Sequence, residues 1–321
     1  MFTSSGHAII CNGAEHEIVV LDSNGIEQWR LGREGRGPGE FREISSVSDE
    51  GTDRIGIFDA RSKKFVLVNT RGELISDQST KFLRGWMPLY LGSLNDGRLV
   101  FLHSTSGAPP LGVSNAIVPL RTAIELIDTS GNSTVAIDTI TLYERFVMGQ
   151  GVGGITIGLP LSAGGKAVVG AGQLVTAFSA DSFVVKRSLA TSIAETLAVS
   201  LPAHPVSQSE WDLAIRNRMA TTASDFRDRV SKALSMVARP KTHPRFRSMH
   251  VSPRGSIALL APSNGDMKTY SISCVTIVDD DICPDGILGS GDELLAISSG
   301  RALVARELEE GNYRIEMWVR R

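Results

Sequence analysis

Long apolar runs are missing from this 321-residue chain, and none approaches the roughly 20 residues a helix needs to cross a bilayer. No membrane span is expected. Cysteine is scarce: Cys11, Cys274 and Cys283 are too few for a disulfide framework. Cys274 and Cys283 can face each other across a hairpin, but buried free thiols are the expectation. There is no Cys-x-x-Cys pair, which argues against a thiolate zinc site. Charge of one sign is not in excess either. The formal net charge is −2, so nothing points to nucleic acid or an anionic membrane. The opening MFTSSGHAIICNG lacks a basic segment followed by an apolar one and does not read as a secretory signal. It reads as the interior of a β unit.

What the chain does have is 32 glycines and short runs of Val, Ile, Thr and Ser, the composition of many strands joined by tight turns. Three segments line up: VVLDSNG (19–25), VLVNTRG (66–72) and ELIDTSG (125–131). Each is a strand ending in Asp or Asn, whose side chain accepts from amides two residues on, followed by a Gly free to take positive φ. Gly25 and Gly72 are 47 residues apart, and in a second series, SDEG and LNDG, Gly51 and Gly97 are 46 apart. Two interleaved turn series with a common period predict a repeating unit of about four strands, the length of a propeller blade. A two-sheet sandwich with accidental spacing is the alternative. STSGAPPLGVSN (104–115) is the inserted loop that lengthens the third interval.

One segment breaks the β pattern. In 205–240, Ser207 and Glu210 have capping-box spacing, and Trp211, Ile215 and Met219, then Phe226, Val230 and Leu234, recur on one helical face. Thr221–Ser224 splits it into two helices and Pro240 ends the second. A helical insertion bracing the β body is expected; a docking helix for a partner is the sharper alternative.

Chemical motifs fare poorly. GREGRGPGEF (32–41) has no lysine and precedes a strand, so it is not a phosphate loop. GQGVGG (149–154) fits Gly-x-Gly-x-x-Gly, yet no helix follows to receive a pyrophosphate. The six histidines form no His-Glu-x-x-His, DDDICPD (279–285) lacks calcium-loop alternation, and no Gly-x-Ser-x-Gly elbow exists. Asn132-Ser133-Thr134 fits a glycosylation sequon and equally a polar turn. Residues 210–247 hold nine Arg or Lys against four acids. This reads as a solvated helix face, as docking on the 279–285 turn, or as an anion site formed by Arg245, Arg247 and His250.

GREGRGPGEF after a D-S-N-G hairpin, followed by DRIGIFDARSKKFVLVNTRGEL, resembles bacterial six-bladed β-propeller proteins related to NHL-repeat propellers. HPRFRSMHVSPRGSIALLAP is similar to the same group, although its turn has Ser252-Pro253-Arg254-Gly255 where Asp-x-x-Gly is usual. The resemblance implies an all-β, six-bladed propeller over 1–321, with a helical insertion at 205–240 and a first strand missing. It implies an extracytoplasmic, non-enzymatic binding or scaffolding role, with no cofactor. The partner is an unknown protein or a small anionic ligand. The alternative is a metal-dependent lactonase- or lyase-like enzyme with its site in the channel. In such a ring the 32–41 run joins one blade to the next, with Phe41 packed between them.

Overall fold

The computed structural model describes residues 1–51, 53–80, 86–94, 96–104, 112–128, 134–149, 154–263, 267–278, 282–284, 286–308 and 313–320. Gly131, residues 105–111 and 150–153, two of the three sequon positions (132 and 133) and residues 279–281 and 285 lie outside them.

Strands follow one another along the chain in six antiparallel sheets. The first holds β1 (Ala8–Asn12), β2 (Glu17–Leu21) and β3 (Glu27–Gly32), and the second β4 (Ile44–Asp49), β5 (Arg54–Asp59), β6 (Lys64–Asn69) and β7 (Leu74–Ser79). The third is larger: β8 (Trp86–Ser93), β9 (Leu99–Ser104), β10 (Ala116–Ile127), β11 (Thr134–Met148) and β12 (Ile155–Gly158). The fourth runs β13 (Gly165–Gly170), β14 (Gln173–Phe178), β15 (Phe183–Ser188) and β16 (Ala194–Ala198). The fifth runs β17 (Ser248–Val251), β18 (Ile257–Pro262), β19 (Thr269–Thr276) and β20 (Ile287–Gly289). The last is β21 (Glu293–Ser298), β22 (Arg301–Glu307) and β23 (Tyr313–Val319).

The first strand of each sheet packs beside the first strand of the next, from β1 to β4, β8, β13, β17 and β21. Phe2 and Ala8 bury against Ala296 and Leu303, so the first and last sheets also meet. Met1 and Ile9 exchange backbone hydrogen bonds, 2.6 Å from the amino group and 2.7 Å from the Ile9 amide. Residues 1–2 thereby extend the first sheet inward, with Phe2 bridged to Ala8. Six antiparallel sheets around one axis are consistent with a propeller.

The turn chemistry is local. Asp22 Oδ1 accepts from the amides of Asn24 and Ile26, and Asn69 Oδ1 from those of Arg71 and Glu73. Gly25 and Gly72 then take φ of 82° and 81°. These are the β2–β3 and β6–β7 hairpins, at equivalent places in adjacent sheets, and Gly51 and Gly97 close β4–β5 and β8–β9.

The 32–41 run joins the first sheet to the second. Gly32 has φ 121°, and a Cβ there would lie 2.4 Å from the His16 carbonyl oxygen. Glu40 accepts from the amides of Gly37 (2.8 Å) and Arg36 (3.0 Å) and from Arg33 Nε (2.8 Å). Those bonds, the Gly37 amide first, hold its carboxyl below the usual range. Phe41 is fully buried with Ile9, Ile18, Val20, Ile55 and Val66, between the two sheets. Burying such a side chain contributes about 1.5–3 kcal/mol, and the Lys64 ammonium sits 5.4 Å from its ring centroid.

Two helices lie between β16 and β17: α1 (Gln208–Ala220) and α2 (Arg227–Ser235). Ser207 and Glu210 form the capping box on α1. The base of the excursion is closed by a Pro205–Thr242 bridge and by the His243 amide donating to His204. Trp211, Val230 and Leu234 bury against Phe146 and Ile157 of β11 and β12, with Ile215 and Met219 half-buried beside them. Phe226 departs from the expected face: it is 50 % exposed and lies under Arg229.

The cysteine expectation is corrected. Cys274 and Cys283 form a disulfide, their Cα atoms 6.0 Å apart, and only Cys11 is free. Cys274 lies on β19, which pairs antiparallel with β20 just beyond Cys283.

Candidate functional site: the central cavity

Strands β4, β8, β13, β17 and β21, together with residues 1–4, surround one cavity of about 450 Å³. From each strand the lining comes from its final residues and, in most, the turn beyond, as in Val47–Gly51, Val168–Gly172 and Met249–Pro253. The cavity therefore sits toward the C-terminal ends of the innermost strands. Glycine keeps these strands close: a Cβ on Gly170 would lie 2.9 Å from Val251 Cγ1, and one on Gly92 3.0 Å from Val169 Cγ1.

The polar groups gather on the second and third sheets. Asp49 Oδ2 accepts from the Ser4 amide at 2.6 Å and Oδ1 from the Gly51 amide at 3.1 Å, so the carboxylate joins the first sheet to the second. Next to it, Glu50 Oε1 accepts from the buried Tyr90 hydroxyl. The Ser48 hydroxyl lies against both, 2.8 Å from Tyr90 Oη. Burial pushes the Glu50 carboxyl above its ordinary range, against the pull of the Ser48 and Tyr90 bonds. Burial and then the Glu50 charge hold the Tyr90 phenol well above its own, so it stays a donor.

Of the three residues expected to bind an anion, His250 lines the cavity; Arg245 and Arg247 do not. Arg245 donates to the carbonyls of Ala180 and Leu201, tying the β17 approach to the fourth sheet. Arg247 donates to Ser290 and Asp292 at 2.6 and 3.3 Å and covers the Tyr270 ring. Both guanidiniums are engaged by backbone carbonyls at sheet junctions. His250 Nε2 is 2.9 Å from Ser248 Oγ. Burial, then the Met1 amino group and Lys166, push its pKa down to about 4, so the ring is neutral at pH 7. Glu50 and Tyr90 were not singled out from the sequence. Glu50 stands in an ordinary turn, and its partner is 40 residues away on another sheet.

Among the described residues, no three His, Cys, Asp or Glu side chains gather as metal ligands. No helix among them is long and apolar enough to cross a membrane.

No protein-family model matches the chain, and no curated protein matches it. Solved structures do. A candidate exported protein of Bacteroides fragilis aligns at 14 % identity with a TM-score of 0.50, covering 98 % of this chain and 87 % of its own. A member of the DUF4221 family from Bacteroides vulgatus aligns at 9 % identity with a TM-score of 0.51, covering 99 % and 91 %. At such identities the likeness is one of fold. It spans nearly the whole chain.

Proposed function

We propose that the chain is a six-bladed β-propeller, one domain over 1–321, related to NHL-repeat propellers and acting as a non-enzymatic binding module. Its ligand or protein partner enters the central cavity. The observation that carries this reading is that the innermost strands of five sheets, with the N-terminal residues bridged to the first, line one cavity of about 450 Å³, the size of a small-molecule site. The 205–240 segment is a helical insertion that braces the third blade, which its burial against Phe146 and Ile157 supports. Of the expected binding residues, His250 belongs to the cavity wall, and Arg245 and Arg247 set the strand that carries it.

The same reading places the protein outside the cytoplasm. The Cys274–Cys283 disulfide favours an oxidising compartment, and one similar structure is that of a candidate exported protein. A small-molecule screen by ligand-observed NMR tests the cavity. Hits are expected to disappear in Val168→Trp, which fills the cavity, provided the variant melts like the parent. Hits that survive the block move the site elsewhere; chemical turnover of a hit replaces the binding module with an enzyme.

A further inference from the structure

We infer that the outer edge of β23 pairs with the β23 of a second copy of this chain, joining two last sheets across a two-fold axis. In the second, fourth and fifth sheets the third strand, β6, β15 or β19, is flanked on its outer side by a fourth. The last sheet stops at its third, β23, and among the described residues no strand or bridge lies on its outer edge. Burial follows the same difference. β6 keeps Phe65, Val66 and Val68 buried, whereas Tyr313, Ile315 and Val319 of β23 are 50, 36 and 62 % exposed. The edge is also unprotected: YRIEMWV contains neither Pro nor Lys, and its pairing with β22 runs without a bulge.

The backbone groups on that edge follow from the pairing on the other. The Arg320 amide donates to the Gly300 carbonyl at 2.7 Å, and β22 and β23 keep that register from Arg301–Val319 to Glu307–Tyr313. Alternation along an antiparallel ladder turns the backbone groups of Trp318, Glu316 and Arg314 toward β22 and those of Met317, Ile315 and Tyr313 outward. A second β23 laid antiparallel, with Ile315 opposite Ile315, takes up the outward groups of all three residues in both copies at once.

The side chains select both this register and a second copy as the occupant. With Ile315 at the axis, Arg314 of each copy faces Glu316 of the other, giving two opposite-charge cross-strand pairs. Arg314 already pairs with Glu316 in its own chain at 3.1 Å, so the added pairs close a four-charge ring about the axis. Arg306, 3.4 Å from Glu316, is shared with Asp292 at 4.0 Å, which leaves the cluster neutral in each copy. Moving the axis one residue, onto Glu316, sets two carboxylates against each other. On the opposite face Tyr313 meets the second copy's Met317 in a sulfur–aromatic contact. Tyr313 and Ile315 there line an open groove of about 490 Å³ with Ile9, Ile10 and Leu295, so the added strand continues an apolar face already present. Such an isologous pairing closes on itself and stops at two chains.

Sedimentation velocity over a dilution series tests this, with amide hydrogen exchange read on the same samples. On concentration the parent is expected to form a particle of twice the chain mass, with slowed exchange at Ile315 and Met317. Ile315→Lys, which sets two ammonium groups at the axis, is expected to stay monomeric while melting like the parent. Arg314→Glu and Glu316→Arg are each expected to weaken the dimer about tenfold or more, because like charges then face each other twice. Mixed together, these two variants are expected to pair, since each supplies the charge the other lacks. A parent that stays monomeric overturns the inference and leaves the edge to a strand of another protein. A dimer that survives Ile315→Lys overturns it as well, as does a mixture of folded variants that fails to pair. Should Glu316→Arg unfold through loss of the bond from Trp318 Nε1, Ile315→Lys and the exchange pattern decide.

Discussion

Removing the Cys274–Cys283 bridge tests the fifth sheet and its contact with the sixth. The two cysteines are nine positions apart in sequence. With about ten residues in the closed loop, the chain-entropy relation gives roughly 2.7 kcal/mol of stabilisation at 25 °C. The bridged segment also carries tertiary contacts: the Gly300 amide donates to the Ile282 carbonyl at 2.7 Å, and Arg320 Nη1 to the Cys283 carbonyl at 3.2 Å. The double variant Cys274→Ala/Cys283→Ala should therefore lose about 2.5–3 kcal/mol in urea unfolding and melt about 5 °C lower. A reducing agent should produce the same shift in the parent and none in the double variant. Thiol titration in denaturant adds a count: one free thiol, Cys11, without reductant, and three after reduction. Three thiols without reductant, or a midpoint unmoved by the double substitution, would refute the reasoning.

Two further predictions concern the inter-sheet loop and the cavity. Gly32→Ala combines a φ of 121° with a 2.4 Å approach to the His16 carbonyl oxygen. A loss of about 2–4 kcal/mol is expected, from positive-φ strain plus overpacking. Chemical denaturation measures it, and a change below about 0.5 kcal/mol would show that the loop relaxes freely. Glu50 has its folded pKa raised by burial, so the folded state holds its proton to higher pH than the unfolded chain. Its ionisation costs stability as pH rises from the unfolded value through the folded one, and Glu50→Gln has no such cost. The stability of Glu50→Gln relative to the parent should therefore improve as pH climbs out of the acidic range; a pH-independent difference contradicts the desolvated carboxyl.

The elements that were legible in the sequence are those whose cause is local. Asp22 and Asn69 bond to amides two and four residues ahead, and Gly25 and Gly72 supply positive φ nearby, so the hairpins and their 47-residue period stand in the residues themselves. Ser207 and Glu210 cap α1 from within four residues. The GREGRGPGEF joint is equally self-contained, because Glu40 bonds back to Arg33, Arg36 and Gly37 and Phe41 has nowhere apolar to go but inward.

The site was not legible, because its parts meet only after the sheets close around the axis. Ser48, Glu50 and Tyr90 come from two sheets and look like ordinary polar residues until they share one oxygen. Arg245 and Arg247 reach carbonyls on neighbouring sheets, which charge counting does not see. The disulfide was not legible either, since a nine-residue separation permits a bridge without requiring one. Periodicity and turn chemistry act over a few residues and were settled by sequence alone. The cavity depends on contacts between distant segments, and only the packing of the six sheets decided it.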